Sequence, residues 1–216
     1  MPTQTSNGKK EKIAKKRQRQ ILSAARQVFS RKGFAQATTA EIAKEAGVSE
    51  GTIYNYFESK RDLLISLIGG YALDESLLNL FSRPSVDSTD SLPGLLEDRI
   101  AIGFENSDLL TLLLAEIQRS PEFGKQYARQ VLEPGMALLK TYLDMRIGNG
   151  TLQPVNTEAA ARIIVGMVVG LIAVYKIEGD KGFLKEYSIK DLAEQAADMM
   201  TFGLGTKQRN GVTGDK

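Results

Sequence analysis

The chain has 216 residues, enough for one medium domain or a small domain joined to a larger one, and its 42% apolar and 25% charged content is that of a globular protein able to bury a sizeable core. It contains neither Cys nor His, which excludes zinc sites built on those ligands, Ser-His-Asp and Cys-His nucleophile systems, and any disulfide framework. The net charge of +2 conceals an asymmetry: residues 1–60 hold 12 Lys+Arg against 5 Asp+Glu, a net of +7, whereas residues 61–216 hold 16 against 21, a net of −5. Either the N-terminal part meets a polyanion such as nucleic acid, or it carries a solubilising basic tail.

Residues 1–16 are polar and include Lys9, Lys10, Lys12, Lys15 and Lys16. They hold too few apolar groups to fold alone and are expected as a basic flexible arm. Three uses remain open for it: touching DNA, solvation, or the first turns of the next helix. From Arg17 the pattern is helical, with Ile21, Ala25, Val28 and Phe29 on one face and Gly33 as a stop. Thr38 and Glu41 form a capping box for a second helix that ends at Gly47. Ser49 opens a third helix with Ile53 and Phe57 as its apolar members. Ser59 with Asp62 caps a fourth, running through Leu63, Leu64, Leu67 and Ile68 to about Phe81.

Residues 82–94 are turn-rich and acidic and are expected as a loop. Helices are then expected over 95–105, 108–119, 121–147 (with a kink or break at Pro134-Gly135), 156–177 and 189–204. The apolar run Ile163–Tyr175, 13 residues between Arg162 and Lys176, is short of the ~20 a bilayer requires, and it reads as a buried helix. No apolar signal segment opens the chain, so a cytoplasmic protein with no membrane partner is expected.

The segment Thr39–Phe57 carries the functional signal. Two short helices joined by Gly47-Val48-Ser49 have the spacing of a helix-turn-helix. In that motif the N-terminal side chains of the second helix meet base edges in the major groove. Small residues Ser49, Gly51 and Thr52 there let the backbone approach closely, and free N–H groups favour a phosphate.

The stretch TTAEIAKEAGVSEGTIYNYFESKRDLL from Thr38, with RQRQILSAARQVFSRKGF before it, resembles the TetR family of regulators over roughly 17–67. The resemblance implies an all-α fold: an N-terminal three-helix helix-turn-helix DNA-binding domain plus a larger C-terminal helical ligand-binding and dimerisation domain. The expected divisions are an arm at 1–16, the reading head at 17–62, the larger domain at 63–204 and a flexible tail at 205–216. It also implies DNA-binding positions. Thr39 and Lys60 would meet phosphates. Ser49, Glu50, Gly51, Thr52 and Asn55 would lie on the recognition helix, and Tyr54 and Tyr56 would face sugar-phosphate or thymine methyls. From the residues alone other roles stay open: Thr39 as a cap, the tyrosines as core, Asn55 and Lys60 as solvated surface. Glu50 is unexpected beside a phosphate; it either accepts from a cytosine amino group or points away.

In the C-terminal part, Gly166 and Gly170 are four apart within an apolar helix, and Ile189, Leu192, Ala193, Ala196 and Met200 form one stripe. Both segments fit either an intramolecular core or a partner. The resemblance implies a homodimer with Gly166, Gly170, Ile189, Leu192, Ala196 and Met200 at the interface, and hence a palindromic operator. It further implies a small-molecule effector site, for which Phe104, Leu113, Glu116, Tyr127, Tyr142, Met167 and Tyr175 are candidates. The expected function is a ligand-released repressor acting on double-stranded DNA, with no cofactor and no enzymatic activity. An architectural DNA-binding protein is the alternative.

Overall fold

The computed structural model describes residues 4–74 and 92–202, and the fold is all-α, with no strand among these residues. The helices are α1 Gln4–Gln36, α2 Thr39–Ala46, α3 Glu50–Tyr54, α4 Lys60–Ala72, α5 Leu92–Glu105, α6 Ser107–Arg119, α7 Pro121–Tyr127, α8 Glu133–Gly148, α9 Thr157–Glu178 and α10 Ile189–Phe202. They form two compact units. One comprises the described part of residues 1–78 with 108–137, and the other the described part of 79–107 with 138–216. The first unit therefore holds the three N-terminal helices together with α4, α6, α7 and the first turn of α8.

The first unit closes around one core. Ile21, Ala25, Val28 and Phe29 of α1 meet Ile42, Ala43 and Ala46 of α2, Ile53 of α3, Phe57, and Leu63, Leu64 and Leu67 of α4. Leu109, Leu113, Phe123 and Val131 complete it from α6, α7 and the turn beyond. Gly33 takes φ 73 and ψ 161, a conformation open to glycine, and bends the end of α1. The bend turns Phe34 back onto Phe29, with ring centroids 5.2 Å apart.

The basic segment expected as a flexible arm is instead helical from Gln4. Its composition explains this. Lys, Glu, Gln and Ala are good helix formers, and residues 4–16 contain no proline. Lys10, Lys12, Lys15 and Lys16 lie exposed along it. Pro93 and Gly94, expected in the loop, belong to the first turn of α5, where a missing N–H costs no helical bond. The expected loop at 82–91, the continuation of α4 toward Phe81, and the tail at 205–216 lie outside the described residues.

The break expected at Pro134-Gly135 is absorbed. Residues Ala128–Leu132 form a π-helical turn in which the Glu133 N–H donates to the Ala128 carbonyl, five residues back. Widening the ring just before Pro134 accommodates a residue that cannot donate, and the helical run continues into α8.

In the second unit α9 and α10 both pack on α5. Leu95, Leu96 and Ile100 of α5, Ala161, Ile164 and Ile172 of α9, and Ala193, Ala196 and Ala197 of α10 are buried. A Cβ on Gly103 would stand 2.2 Å from Ile172 Cδ1, so this glycine sets the close approach of α5 and α9. The expectation that the apolar run Ile163–Tyr175 is a buried helix is corrected here: Ile163 is 63% and Val174 44% exposed. Among the described residues, α5 and the turns that follow α9 cover only part of a helix that is apolar nearly all round. The helix itself, expected over 156–177, runs Thr157–Glu178; Thr157–Lys181 is long and apolar enough, by length and composition alone, to cross a membrane.

Candidate nucleic-acid interface

The geometry of the reading head follows from its caps. Thr38 Oγ1 accepts from the Glu41 N–H at 3.2 Å, and Glu41 Oε2 accepts from the Thr38 N–H at 3.2 Å, the reciprocal box that the sequence predicts. Gly47 ends α2 in the left-handed conformation, φ 61 and ψ 40. The Val48 N–H then reaches the Ala43 carbonyl at 3.0 Å, which closes the turn tightly. Ser49 caps α3 through the Thr52 N–H at 3.2 Å, and its hydroxyl lies 2.8 Å from that of Thr52. Gln20 Nε2 donates to the Ala46 carbonyl at 2.6 Å and ties the end of α2 to α1. No local sequence signal marks that last bond, because its partners are 26 residues apart.

These caps fix the outward face of α3. Ser49, Glu50, Gly51 and Asn55 are exposed, Thr52 is half-buried, and Tyr54 is 52% exposed. Phe57 is the core member of the aromatic group, and Tyr56 is half-buried against that core. A Cβ on Gly51 would meet nothing nearer than Ser49 Oγ at 4.0 Å. Its missing side chain therefore answers no crowding within the chain.

Thr39, half-buried at the start of α2, faces α3 across the turn. Its hydroxyl donates to the Glu50 carboxylate and lies 3.2 Å from the Tyr54 hydroxyl. Glu50 thus points toward the expected phosphate position. The three residues form one polar constellation on the face that the exposed α3 side chains share.

Lys60 is turned inward. Its ammonium donates to the carbonyls of Phe34 at 2.7 Å, Ala37 at 2.8 Å and Ala35 at 3.4 Å, and lies 4.5 Å from the centroid of the Phe34 ring. These carbonyls belong to the end of α1 and the link to α2, which would otherwise lack donors. Burial pushes the Lys60 ammonium below the usual lysine value, an effect that the Glu116 carboxylate opposes and Arg61 reinforces. Glu116 itself is buried on α6, with Arg61 Nε at 3.9 Å and Arg119 at 3.4 Å. Charge across 55 residues leaves no trace in local sequence, so the Arg61–Glu116 pair was not legible there.

The remaining candidates are distributed over both units. Leu113 and Glu116 are buried in the first unit, and Tyr127 packs half-buried against its core, with burial raising the phenol above its usual value. In the second unit Tyr142 is fully buried, Met167 is half-buried, and Phe104 stacks on Tyr175 with centroids 4.0 Å apart and planes 8° apart. Of the interface candidates, Gly166 and Gly170 are exposed, with open space where a Cβ would stand. Ile189, Leu192 and Met200 are half-buried. Ala196 is corrected: it is 5% exposed and serves the chain's own core, since α10 turns its alanines toward α5. Ile163, Val174 and Ile177 were not singled out by the sequence reading. With the two glycines they make an exposed stripe at Ile163, Gly166, Gly170, Val174 and Ile177. Their helical spacing was the available signal.

Residues 21–67 match the model of the TetR family of bacterial regulatory proteins, and residues 100–202 match the C-terminal domain of AefR-like transcriptional repressors. The chain is similar to the HTH-type transcriptional repressor BepR of Brucella suis, 30% identical across 76% of this chain and 81% of that protein. It is 24% identical to the fatty acid metabolism regulator protein of Bacillus subtilis across 87% of this chain and 95% of that protein. Among solved structures, the transcriptional regulator FadR from Bacillus subtilis, in complex with stearoyl-CoA, shares the fold. Its TM-score is 0.69 at 22% identity, covering 86% of this chain and 98% of that one.

Proposed function

Because the chain belongs to the TetR family, a family of helix-turn-helix transcription regulators, we propose that it is a homodimeric repressor released from a near-palindromic operator by a small apolar effector. The observation that carries the reading is the outward face of α2 and α3. Thr39, Ser49, Gly51, Thr52, Tyr54 and Asn55 share one hydrogen-bonding surface on a fully closed core, in the positively charged part of the chain. Thr39 supplies a phosphate donor. Asn55 can pair bidentately with adenine, and Gly51 lets the backbone approach the groove. Lys60 supports this surface from behind by holding the end of α1.

The exposed stripe of α9 supports the dimer. Ile163, Val174 and Ile177 flank two glycines that allow a second α9 to come close, and a two-fold pair of heads reads two half-sites. Burying this stripe against another copy also accounts for its hydrophobicity without a bilayer, in keeping with a cytoplasmic DNA-binding protein. For the effector, the stacked Phe104–Tyr175 pair offers aromatic surface in the second unit. The relative solved with stearoyl-CoA makes a long-chain acyl thioester the first compound to test. Effector and operator must weaken each other's binding by the same factor. We infer no enzymatic activity; the relatives are regulators, and the chain lacks His and Cys.

The test is selection of bound fragments from a random duplex library at moderate salt, where phosphate contacts alone no longer hold every sequence. Enrichment of one near-palindrome is expected. Binding indifferent to sequence, vanishing as salt rises, would overturn the regulator reading in favour of an architectural role.

A further inference from the structure

We propose that Glu50 is an affinity-limiting residue: its carboxylate occupies, within the chain, the donor that a DNA phosphate must use, and so weakens binding to DNA of any sequence. The inference rests on the DNA-reading face described above.

The atoms leave little freedom. A threonine hydroxyl has one proton to give. The Thr39 proton is directed at a Glu50 carboxylate oxygen. The Tyr54 hydroxyl, 3.2 Å from Thr39 Oγ1, then acts as donor to that oxygen. Glu50 is therefore where a phosphate oxygen would sit, with the same charge sign and the same acceptor chemistry. It is the first residue of α3 and is exposed, and among the described residues no Lys or Arg pairs with it. Lys60, the cation expected at this surface, is committed to the carbonyls of Phe34, Ala35 and Ala37.

A duplex that reaches this face brings a second anion to a donor already in use. Either Glu50 releases Thr39 and stays beside the phosphate, or the phosphate goes without the bond. Both outcomes weaken binding, and neither depends on sequence. Binding through the phosphate backbone is the sequence-independent share of affinity, so a residue that opposes it lowers affinity for cognate and non-cognate duplexes alike. The overall charge of +7 in residues 1–60 draws DNA in, and Glu50 sets how readily that attraction becomes a contact.

The experiment is a double-mutant cycle on the full chain. Binding to a fluorescent alternating dA–dT duplex at fixed moderate salt is followed by anisotropy for wild type, Glu50→Gln, Thr39→Val and the double variant. Circular dichroism confirms that each is folded. Glu50→Gln keeps the side-chain length and removes the charge. It is expected to tighten binding on the order of fivefold, the size of an exposed hydrogen-bonded charge interaction. In the Thr39→Val background the gain should fall below about twofold, because the contested donor is gone. Equal gains in both backgrounds would show simple long-range repulsion and overturn the proposal while leaving the DNA-reading role intact. Wild-type protein that binds no duplex at any salt would overturn both.

Discussion

The reading head and helix α9 solve the same problem in opposite ways. α2 and α3 are short, and they turn every large apolar side chain except Tyr54 into a shared core, so Ile42 and Ile53, with Phe57 just beyond α3, are almost wholly covered. α9 is the longer and more apolar element, yet Ile163, Val169, Val174 and Ile177 stand exposed along it. An amphipathic helix can be satisfied by neighbours on one side. A helix apolar nearly all round needs cover on more than one, and within its unit α9 has α5 and the adjoining turns. Completeness in the head leaves polar side chains on its outer face; incompleteness in α9 is what the proposed second copy would remedy.

The largest effect expected is on that second copy. Gly170→Glu should leave the single chain folded, since open space surrounds the site. It would place a charge in the proposed interface, and affinity for the selected operator should fall more than about 100-fold. A gel-shift titration measures it, and an unchanged midpoint would show that α9 takes no part in operator binding.

The next effects probe how closed each unit is. Lys60→Met removes the donor that holds the Phe34 and Ala37 carbonyls and should cost about 2 kcal/mol in urea unfolding. The salt dependence of DNA binding should stay as in wild type; a shallower slope would return Lys60 to the phosphates. Gly103→Ala would drive a Cβ into Ile172 and should cost about 1–2 kcal/mol net, after the gain of ~1 kcal/mol that alanine brings to a helix. Thermal unfolding that rises instead would mean α5 and α9 are less tightly apposed.

Gly51→Ala separates fold from function. With nothing nearer than 4.0 Å, the chain should gain about 0.5–1 kcal/mol of stability. Operator affinity should nonetheless fall about tenfold, because only DNA approaches that atom. Equal operator affinity would remove Gly51 from the interface. The smallest effect is alkaline. Burial raises the Tyr127 phenol, so its contribution to stability is whole below the ordinary tyrosine value near 10 and is lost as pH climbs through the folded-state value. Tyr127→Phe should flatten that loss, and an identical pH profile would mean the phenol is not protected.

The head was legible in sequence because its signals are local. The Thr38–Glu41 box, Gly47 and the Ser49 cap each act within about one turn, and the structure has all three. For the basic segment, low hydrophobicity left a flexible arm and the first turns of the next helix both open, and the structure has the second: a helix of Lys, Glu and Gln needs no core of its own when it extends one already anchored by Ile21 and Ala25. The π turn before Pro134 was unreadable because its cause and its remedy lie at different positions. Lys60 was read by position as a phosphate contact, and its inward turn depends on the carbonyls of Phe34, Ala35 and Ala37, 23 to 26 residues before it. Ala196 was read from period, which finds an apolar face without saying whose core it joins, and the exposed stripe from Ile163 to Ile177 went unread for the same reason.

The most direct test of the account is sedimentation equilibrium of the 216-residue wild-type chain beside Gly170→Glu at micromolar concentration. The account predicts two copies of the 23.7 kDa chain for wild type and one for the variant, with helical content equal in both. A wild-type protein that sediments as a single chain, with its α9 face open in solution, would contradict it.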